Sequence, residues 1–446
     1  MQMTVPRTIC LGFLVLIFVG TVLLLLPLAT ANGQWNNPLV ALFTATSAVC
    51  VTGLIVVDTG TYFSAFGEAI ILTLIQVGGL GYMTANTFLV LLLGRRLGLR
   101  ERLAIQQSMD NAALAGSKSL VISIIAMTLV FELTGLFCLY PTFRQDYGPG
   151  YGLWLSVFHS ISAFNNAGFS LFQDSLVGYA FNPWVNAVIT ALVIIGGIGY
   201  QVIMELLNWL RNRIAGNRCR GLFSLNFKVV TSTTAVLLAL GTVAFWVTEF
   251  QNPATLGNAG PHFKLLLAWF QSVIARTAGF NSIDIGAMGN ASLFIMIALM
   301  FIGASPGSTG GGIKTTTIRI LLACTRMALQ GQDQVLCFRR QIPTSRVLKA
   351  IAVVVGSGLA VVGATALLAI SNPNFSFITI LFESVSAFAT VGLSTGITGE
   401  LSDFGKYVII VTMYLGRVGI LLFMGALLGD PKPSSVQYPE EELLIG

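Results

Sequence analysis

Charge is scarce in this chain. Only 9% of its 446 residues are charged while 55% are hydrophobic, a balance that excludes a soluble protein with an ordinary solvated surface and marks an integral membrane protein. Histidine is limited to His159 and His262, and the six cysteines (Cys10, Cys50, Cys138, Cys219, Cys324, Cys337) keep no C-x-x-C or Cys/His spacing. That excludes a disulfide framework and a zinc site as organising features. Each cysteine reads as a single buried thiol, and no covalent cofactor is called for. In so apolar a chain the net charge of +6 reflects loop topology, not a nucleic-acid partner.

Long apolar runs are what the chain has instead. Residues 8–28, 119–140, 229–248 and 350–370 each hold 20 or so residues with few charges, enough to cross a hydrocarbon core roughly 30 Å thick. Four more spans are expected at 67–93, 184–210, 291–325 and 405–429. Arg7 and the sequence Ala29-Thr30-Ala31 imitate a signal peptide around the first run. Its apolar part exceeds the roughly 7 to 15 residues of a signal h-region, so it reads as a retained helix.

If eight spans alternate, Arg7, Arg95, Arg96, Arg100, Arg102, Lys118, Arg211, Arg213, Arg218, Arg220, Lys228, Arg326, Arg339, Arg340, Arg346 and Lys349 fall on one side. The opposite loops carry Arg144, Lys264, Arg276 and Lys406. By the positive-inside rule both termini are cytoplasmic. Asp58, Asp146, Asp174, Glu249, Asp284, Glu400 and Asp403 give the external loops an acidic bias that concentrates cations.

An internal repeat organises the spans. The segments FTATSAVCVTGL (43–54), FHSISAFNNAGF (158–169), FQSVIARTAGF (270–280) and FESVSAFATVGL (382–393) each begin with Phe and end with Gly followed by Leu or Phe. Gly53, Gly168, Gly279 and Gly392 lie 115, 111 and 113 residues apart, so the chain is four copies of one unit. The third copy is one residue shorter. The units are 1–100, 101–220, 221–345 and 346–430, with a cytoplasmic tail over 431–446.

Each unit is a span, a short segment, a loop and a span. The short segments at 38–48, 153–164, 264–274 and 376–388 would form roughly 16 to 20 Å of helix and cannot cross; they enter and return from the same side. Units with an even number of crossings share one orientation. The expected fold class is therefore an all-α membrane protein of eight transmembrane helices and four re-entrant pore helices, arranged as four parallel repeats around a pseudo-fourfold pore.

Non-helical backbone at membrane depth is tolerated where it is packed in protein or lines a water-filled path. Glycine reaches the left-handed angles such a loop needs, and rings of carbonyl oxygens replace the hydration shell of a monovalent cation, the potassium-channel filter being the standard example. For one glycine, close helix packing is the alternative. Four at matched positions favour a filter built from Gly53, Gly168, Gly279 and Gly392, flanked by Val51, Thr52, Asn166, Ala167, Thr277, Ala278, Thr390 and Val391, with K+ held on backbone carbonyls.

The loops VTGL, NNAGF, RTAGF and TVGL and the order of elements resemble the Trk/Ktr/HKT superfamily of potassium transporters over nearly the whole chain. Eight spans without an extra N-terminal pair are most similar to the membrane subunit of the Ktr type. The resemblance implies that the four glycines select potassium, and that glycine at position 53, where sodium-selective plant members carry serine, accompanies potassium preference. It also implies a membrane homodimer with one pore per subunit, and a separate cytosolic nucleotide-binding ring of the KtrA type as regulatory partner.

A second aligned feature lies in the second spans: GGLG (78–81), GGIG (196–199), GRVG (416–419) and, in the third unit, GASPGSTGGGIKT (303–315). Glycine there allows a bend or a close approach. Arg417 replaces a glycine, and a cation at membrane depth usually faces a cavity and marks function; pairing with carbonyls to hold helices together is the alternative. The stretch Gly303, Ser305, Pro306, Gly307, Ser308, Thr309, Gly310, Gly311, Gly312 and Lys314 breaks any helix. Ile313 between glycine and lysine spoils its likeness to a phosphate-binding loop. In the superfamily an intramembrane loop at this place lies beneath the filter and moves, so the stretch and Arg417 together form the expected gate.

Asn165, Asn166, Arg276, Thr277 and Thr390 flank filter glycines; Glu383, Asp58, Asp174 and Asp284 are expected to brace loops or shape a vestibule; Glu132 and Glu205 are intramembrane acids without an assignable partner. The function expected is potassium uptake through the cell membrane, driven by the membrane potential, with sodium as coupling or activating ion. The alternative within transport is a sodium-selective or mixed carrier of the same fold. A membrane enzyme or receptor core would need a catalytic cluster, and the spans hold no histidine pair or metal-ligand spacing.

Overall fold

The computed structural model describes residues 4–81, 117–216 and 223–428. Arg95, Arg96, Arg100, Arg102, Arg218, Arg220, Cys219, the far end of the expected 67–93 span and the tail from 431 lie outside the described residues, as does the side chain of Lys118.

The first unit comprises α1 (Val5–Leu25), α2 (Pro38–Val49), a single turn α3 (Thr59–Tyr62) and α4 (Ala65–Leu80). The second comprises α5 (Ser117–Tyr147), α6 (Pro149–Phe164), α7 (Pro183–Ile198) and α8 (Tyr200–Ile214). In the third, α9 (Leu225–Thr248), α10 (Pro261–Ile274), α11 (Asn290–Phe301) and α12 (Thr315–Leu329) are followed by a two-residue strand pair, Leu336–Cys337 with Arg340–Gln341. The fourth holds α13 (Thr344–Ser371), α14 (Phe377–Phe388), α15 (Asp403–Val418) and α16 (Ile420–Leu428).

Among the described residues, four helices are long and apolar enough to cross a membrane: Pro6–Leu25, Val121–Tyr147, Leu225–Thr248 and Thr344–Ser371. These are the first spans of the four units. Side chains such as Val15, Phe18, Leu240, Leu359 and Val362 stand exposed on them, as lipid-facing positions should. The segments expected as second spans are not straight. The α7/α8 pair is bent by 103° and the α15/α16 pair by 94°, with Gly199 (φ 98°) and Gly419 (φ 86°) at the breaks. Gly81 ends α4 in the same way at φ 83°. In the third unit the break widens to the whole segment between Phe301 and Thr315, where each glycine and proline costs a helix about 1 and 3 kcal/mol.

Short helices start where the sequence says they should. Proline opens α2, α6, α7 and α10, its missing N–H falling where no helical bond is due. The side chains of Asn37, Asn182, Ser224, Ser376 and Ser402 accept bonds from first-turn amides.

The units close into a ring. The second-span helix of each unit packs on the short helix of the next: α4 on α6, α7 on α10, α11 on α14, and α15 back on α2. Between the last unit and the first, Arg7 Nε donates to the Ala426 carbonyl (2.8 Å) and the Tyr414 hydroxyl to the Cys10 carbonyl (2.9 Å).

Candidate functional site

At the centre of the ring lie the loops that follow α2, α6, α10 and α14. In each, the residue two before the glycine takes a left-handed backbone although it carries a side chain: Val51 (φ 56°), Asn166 (58°), Thr277 (67°) and Thr390 (51°). The glycines follow at φ 90°, 71°, 73° and 89°. β-branched residues avoid this region when alone; here the turn is held by the helix it leaves. The amides of Thr52, Ala167 and Val391 donate back to Ser47, Ser162 and Ser386 carbonyls at 2.8 Å, and that of Ala278 to Ile274 at 3.1 Å.

These loops touch in sequence around the ring. A Cβ placed on Gly53 would stand 2.3 Å from the carbonyl oxygen of Ala167; on Gly168, 2.9 Å from that of Ala278; on Gly279, 2.6 Å from that of Val391; on Gly392, 2.1 Å from that of Thr52. Every one of the four sequence-predicted glycines thus sits against the carbonyl preceding its counterpart in a neighbouring unit. The absent side chains are what let the loops meet. Thr52, Asn166, Ala167, Thr277, Ala278, Thr390 and Val391 are all buried here, as is Val51.

Beneath the loops lies the segment 303–314. A Cβ on Gly310 would meet Thr277 Oγ1 at 2.2 Å, one on Gly311 Thr390 Oγ1 at 2.3 Å, and one on Gly312 the Ala389 methyl at 3.3 Å. The segment is tied by Ser305 N to the Gly197 carbonyl (3.0 Å), Thr309 Oγ1 to the Gly196 carbonyl (3.2 Å) and Tyr200 N to the Gly307 carbonyl (3.1 Å). It folds on itself through a bridge between Ile302 and Ile313, and through Lys314 Nζ, which donates to the Gly310 carbonyl at 2.7 Å. Arg417 donates from Nη1 to the Thr309 carbonyl and from Nη2 to the Gly78 carbonyl. The carbonyl pairing weighed as the structural alternative is therefore present, and one of the carbonyls belongs to the loop itself.

The glycine motifs of the second spans divide into two jobs. Gly78, Gly196 and Gly416 are contact points: a Cβ there would lie 2.1, 1.9 and 1.8 Å from the carbonyls of Val49, Phe164 and Phe388, at or near the C-terminal ends of the short helices. Gly81, Gly199 and Gly419 are the bends.

The remaining polar residues find partners the sequence did not reveal. Asn165 Nδ2 donates to Glu132 Oε1 (3.0 Å), Gln76 Oε1 (2.9 Å) and the Ile161 carbonyl (2.9 Å). Glu205 accepts from Ser224 N and Oγ at 3.2 and 2.7 Å, anchoring the start of α9. Glu383 accepts from Ser394 at 2.9 Å and from Thr398, a brace as expected. Asp58 caps α3 through Thr61 N (3.0 Å) and Asp284 accepts from Gly286 N (2.9 Å), while Asp174 joins a turn only through its carbonyl, to Val177 N at 3.2 Å. Glu249 is a hub for Asn252, Thr255, Gly289 N and Ser292. In the loop before α7 Tyr179 donates to Asp146 at 2.7 Å, and burial together with that carboxylate raises its phenol pKa. Arg276 is 7% exposed, with its Nε unpartnered.

The family model of TrkH, described as a cation transport protein, matches residues 11–428. The chain is 41% identical over 446 residues to the Ktr system potassium uptake protein B of Bacillus subtilis, covering 100% of this chain and 97% of that protein. It is 40% identical to the protein of the same name from Vibrio alginolyticus, covering 99% and 95%. To the potassium/sodium uptake protein NtpJ of Enterococcus hirae it is 37% identical, covering 99% and 97%. The crystal structure of the potassium transporter TrkH from Vibrio parahaemolyticus superposes with a TM-score of 0.71 at 18% identity, covering 94% of this chain and 85% of that one, a likeness of fold.

Proposed function

Because the chain belongs to the TrkH family of cation transport proteins, we propose that it is the membrane-embedded subunit of a potassium uptake system, selecting K+ on the carbonyl ring described above. One observation carries this reading. The carbonyls of Thr52, Ala167, Ala278 and Val391 each lie against the glycine of an adjoining unit, closing a ring of four. A dehydrated monovalent cation needs such a set of oxygens in place of its water. The short helices α2, α6, α10 and α14 end at this ring, and the partial negative charge of their C-termini adds to its preference for a cation. In this reading they are re-entrant, and the eight spans place both termini in the cytoplasm.

Ions leaving the ring inward meet the segment 303–314, which sits under Thr277 and Thr390 and is clamped by Arg417. The loop blocks the path sterically and the guanidinium opposes the cation electrostatically. Opening requires the loop to leave the ring. A cytosolic nucleotide-binding ring acting on a membrane homodimer supplies that control in the reading carried over from the superfamily. Sodium acts as coupling or activating ion.

A sodium-transporting or mixed mode is the second reading, favoured by the likeness to the potassium/sodium uptake protein of Enterococcus hirae. Potassium-uptake-deficient cells expressing the chain with its cytosolic partner, grown on low potassium with and without sodium, separate the two. Rescue of growth at low potassium supports potassium uptake; failure to rescue with the partner present overturns it, and sodium accumulation in its place supports the second reading.

A further inference from the structure

Three of the four short helices reach across to the outgoing limb of their own loop by one bond of fixed span. His159 Nε2 meets Ser170 Oγ at 3.0 Å, Gln271 Nε2 meets Ser282 Oγ at 3.2 Å, and Glu383 Oε2 meets Ser394 Oγ at 2.9 Å. The partners are eleven residues apart in every case, although the third loop is one residue shorter between its Phe and its Gly. The helix residue directly follows the repeated phenylalanine, in the triplets FHS, FQS and FES. All three of these side chains have no exposed surface.

The chemistry differs while the geometry stays. His159 Nδ1 lies 2.8 Å from the Leu155 carbonyl, which can only accept, so Nδ1 carries the proton and Ser170 donates to Nε2. Gln271 donates its amide to Ser282, and its Oε1 has no partner. Glu383 accepts from Ser394 and also from Thr398. An imidazole, an amide and a carboxylate thus do one mechanical task. In the first unit the corresponding residues are Thr44 and Ile55. Isoleucine offers no polar atom, so this quadrant has no such bond; there Ser47 Oγ accepts from Gly53 N at 3.1 Å, holding the loop at the glycine itself.

We propose that His159, Gln271 and Glu383 are positioning residues that, through Ser170, Ser282 and Ser394, set how far the outgoing limb of each loop stands from its helix. They thereby fix the width of the carbonyl ring and its discrimination of K+ from Na+. This rests on the reading of the ring as the ion filter. Anchored on a helix side chain with no exposed surface, each bond resists displacement of the limb that continues directly from the ring glycine. The first quadrant is the compliant one.

The third unit gives the cleanest test, because Ser282 makes no other side-chain bond among those described. The experiment compares KM for potassium uptake and the inhibition constant for sodium, in cells expressing the chain with its cytosolic partner, for Ser282→Ala, Ser170→Ala and Gln271→Glu, with Gly279→Ser as control. Membrane amounts are measured by immunoblot. Ser282→Ala and Ser170→Ala are each expected to lower the K+ over Na+ preference about fivefold, the weight of one net hydrogen bond. Gln271→Glu, which lets Ser282 donate as Ser394 does to Glu383, is expected to keep it. An unchanged preference in both serine variants, at normal membrane amounts and with Gly279→Ser altering it, overturns the proposal and leaves the filter reading standing. An unchanged preference in Gly279→Ser as well overturns both. If one serine variant fails to accumulate, the other decides.

Discussion

The guanidinium of Arg417 donates to the main-chain carbonyl of Thr309, so a side chain of the fourth unit holds the broken segment of the third in place. Its second bond goes to Gly78 of the first unit. Replacing Arg417 by alanine releases the segment and removes the positive charge in one step. We expect the maximal potassium uptake rate to rise about tenfold, in line with loss of a charge-assisted bond, with Arg417→Lys falling between. Initial rates of rubidium uptake at saturating concentration provide the check; an unchanged maximal rate, together with an unchanged rate on shortening the 303–314 loop, counts against the gate.

The ring glycines should be far less tolerant than their exposure alone suggests. At Gly53 a serine side chain would meet the Ala167 carbonyl at 2.3 Å while the backbone sits at φ 90°. The loop must shift, and with it the carbonyl oxygens proposed to replace water around the ion. Gly53→Ser is expected to weaken potassium preference over sodium by about tenfold or more. Competition of sodium against rubidium uptake measures this, and a variant with native competition would falsify the filter assignment at this position.

Asn165 sits behind the ring, not in it. Its amide nitrogen serves Glu132, Gln76 and the Ile161 carbonyl together. Asn165→Leu takes one donor from the buried carboxyl of Glu132 and one from the half-buried amide of Gln76, at a cost of about 1 to 3 kcal/mol. The observable is a lower thermal midpoint of the purified protein in detergent. Adding Glu132→Leu to that variant should recover part of the loss, since the buried acid that lost a donor is then gone; no recovery would mean the two side chains are not coupled.

Two glycines three residues apart in one motif should behave differently. Gly196→Ala drives a methyl to 1.9 Å from the Phe164 carbonyl, whereas at Gly199 the objection to alanine is chiefly the backbone, at φ 98°, with the Pro306 carbonyl 2.5 Å from the added carbon. Gly196→Ala should abolish accumulation in the membrane, because backbone stands on both sides of the clash. For Gly199→Ala the two terms act on a bend that faces the 303–314 segment, so we expect protein to accumulate with altered uptake. Immunoblots of membrane fractions beside uptake rates distinguish the two outcomes.

Much of this is legible in the sequence. The first spans, the short helices, the ring glycines and the break at 303–314 are written in local composition: length of apolar run, proline at a helix start, glycine density. What stayed hidden depends on neighbours distant in sequence. Val51, Thr277 and Thr390 take left-handed backbones against their own preference, in turns tied back to the helix they leave and packed on the loop of another unit. Glu132 and Glu205 seemed partnerless because Asn165 and Ser224 are 33 and 19 residues away. GGLG and GGIG allow a bend or a close approach as sequences, and the ring assigns the two jobs to different glycines in each. The strand pair around Phe338 and Arg339, both left-handed, lacks the Asn-Gly signal that usually announces such a turn.

The contacts around the ring all run in one sense, each loop's carbonyl leaning on the glycine of the unit before it. Four identical subunits could build the same circle, but every quadrant would then carry the same neighbours. A single chain is free to differ at each corner. Three residues ahead of the ring glycines it places Cys50, Asn165, Arg276 and Ala389: a thiol, an amide, a cation and a methyl. Four repeats inside one polypeptide keep the circle of carbonyls while leaving its corners free to differ, so that near-equal oxygens stand within an unequal frame.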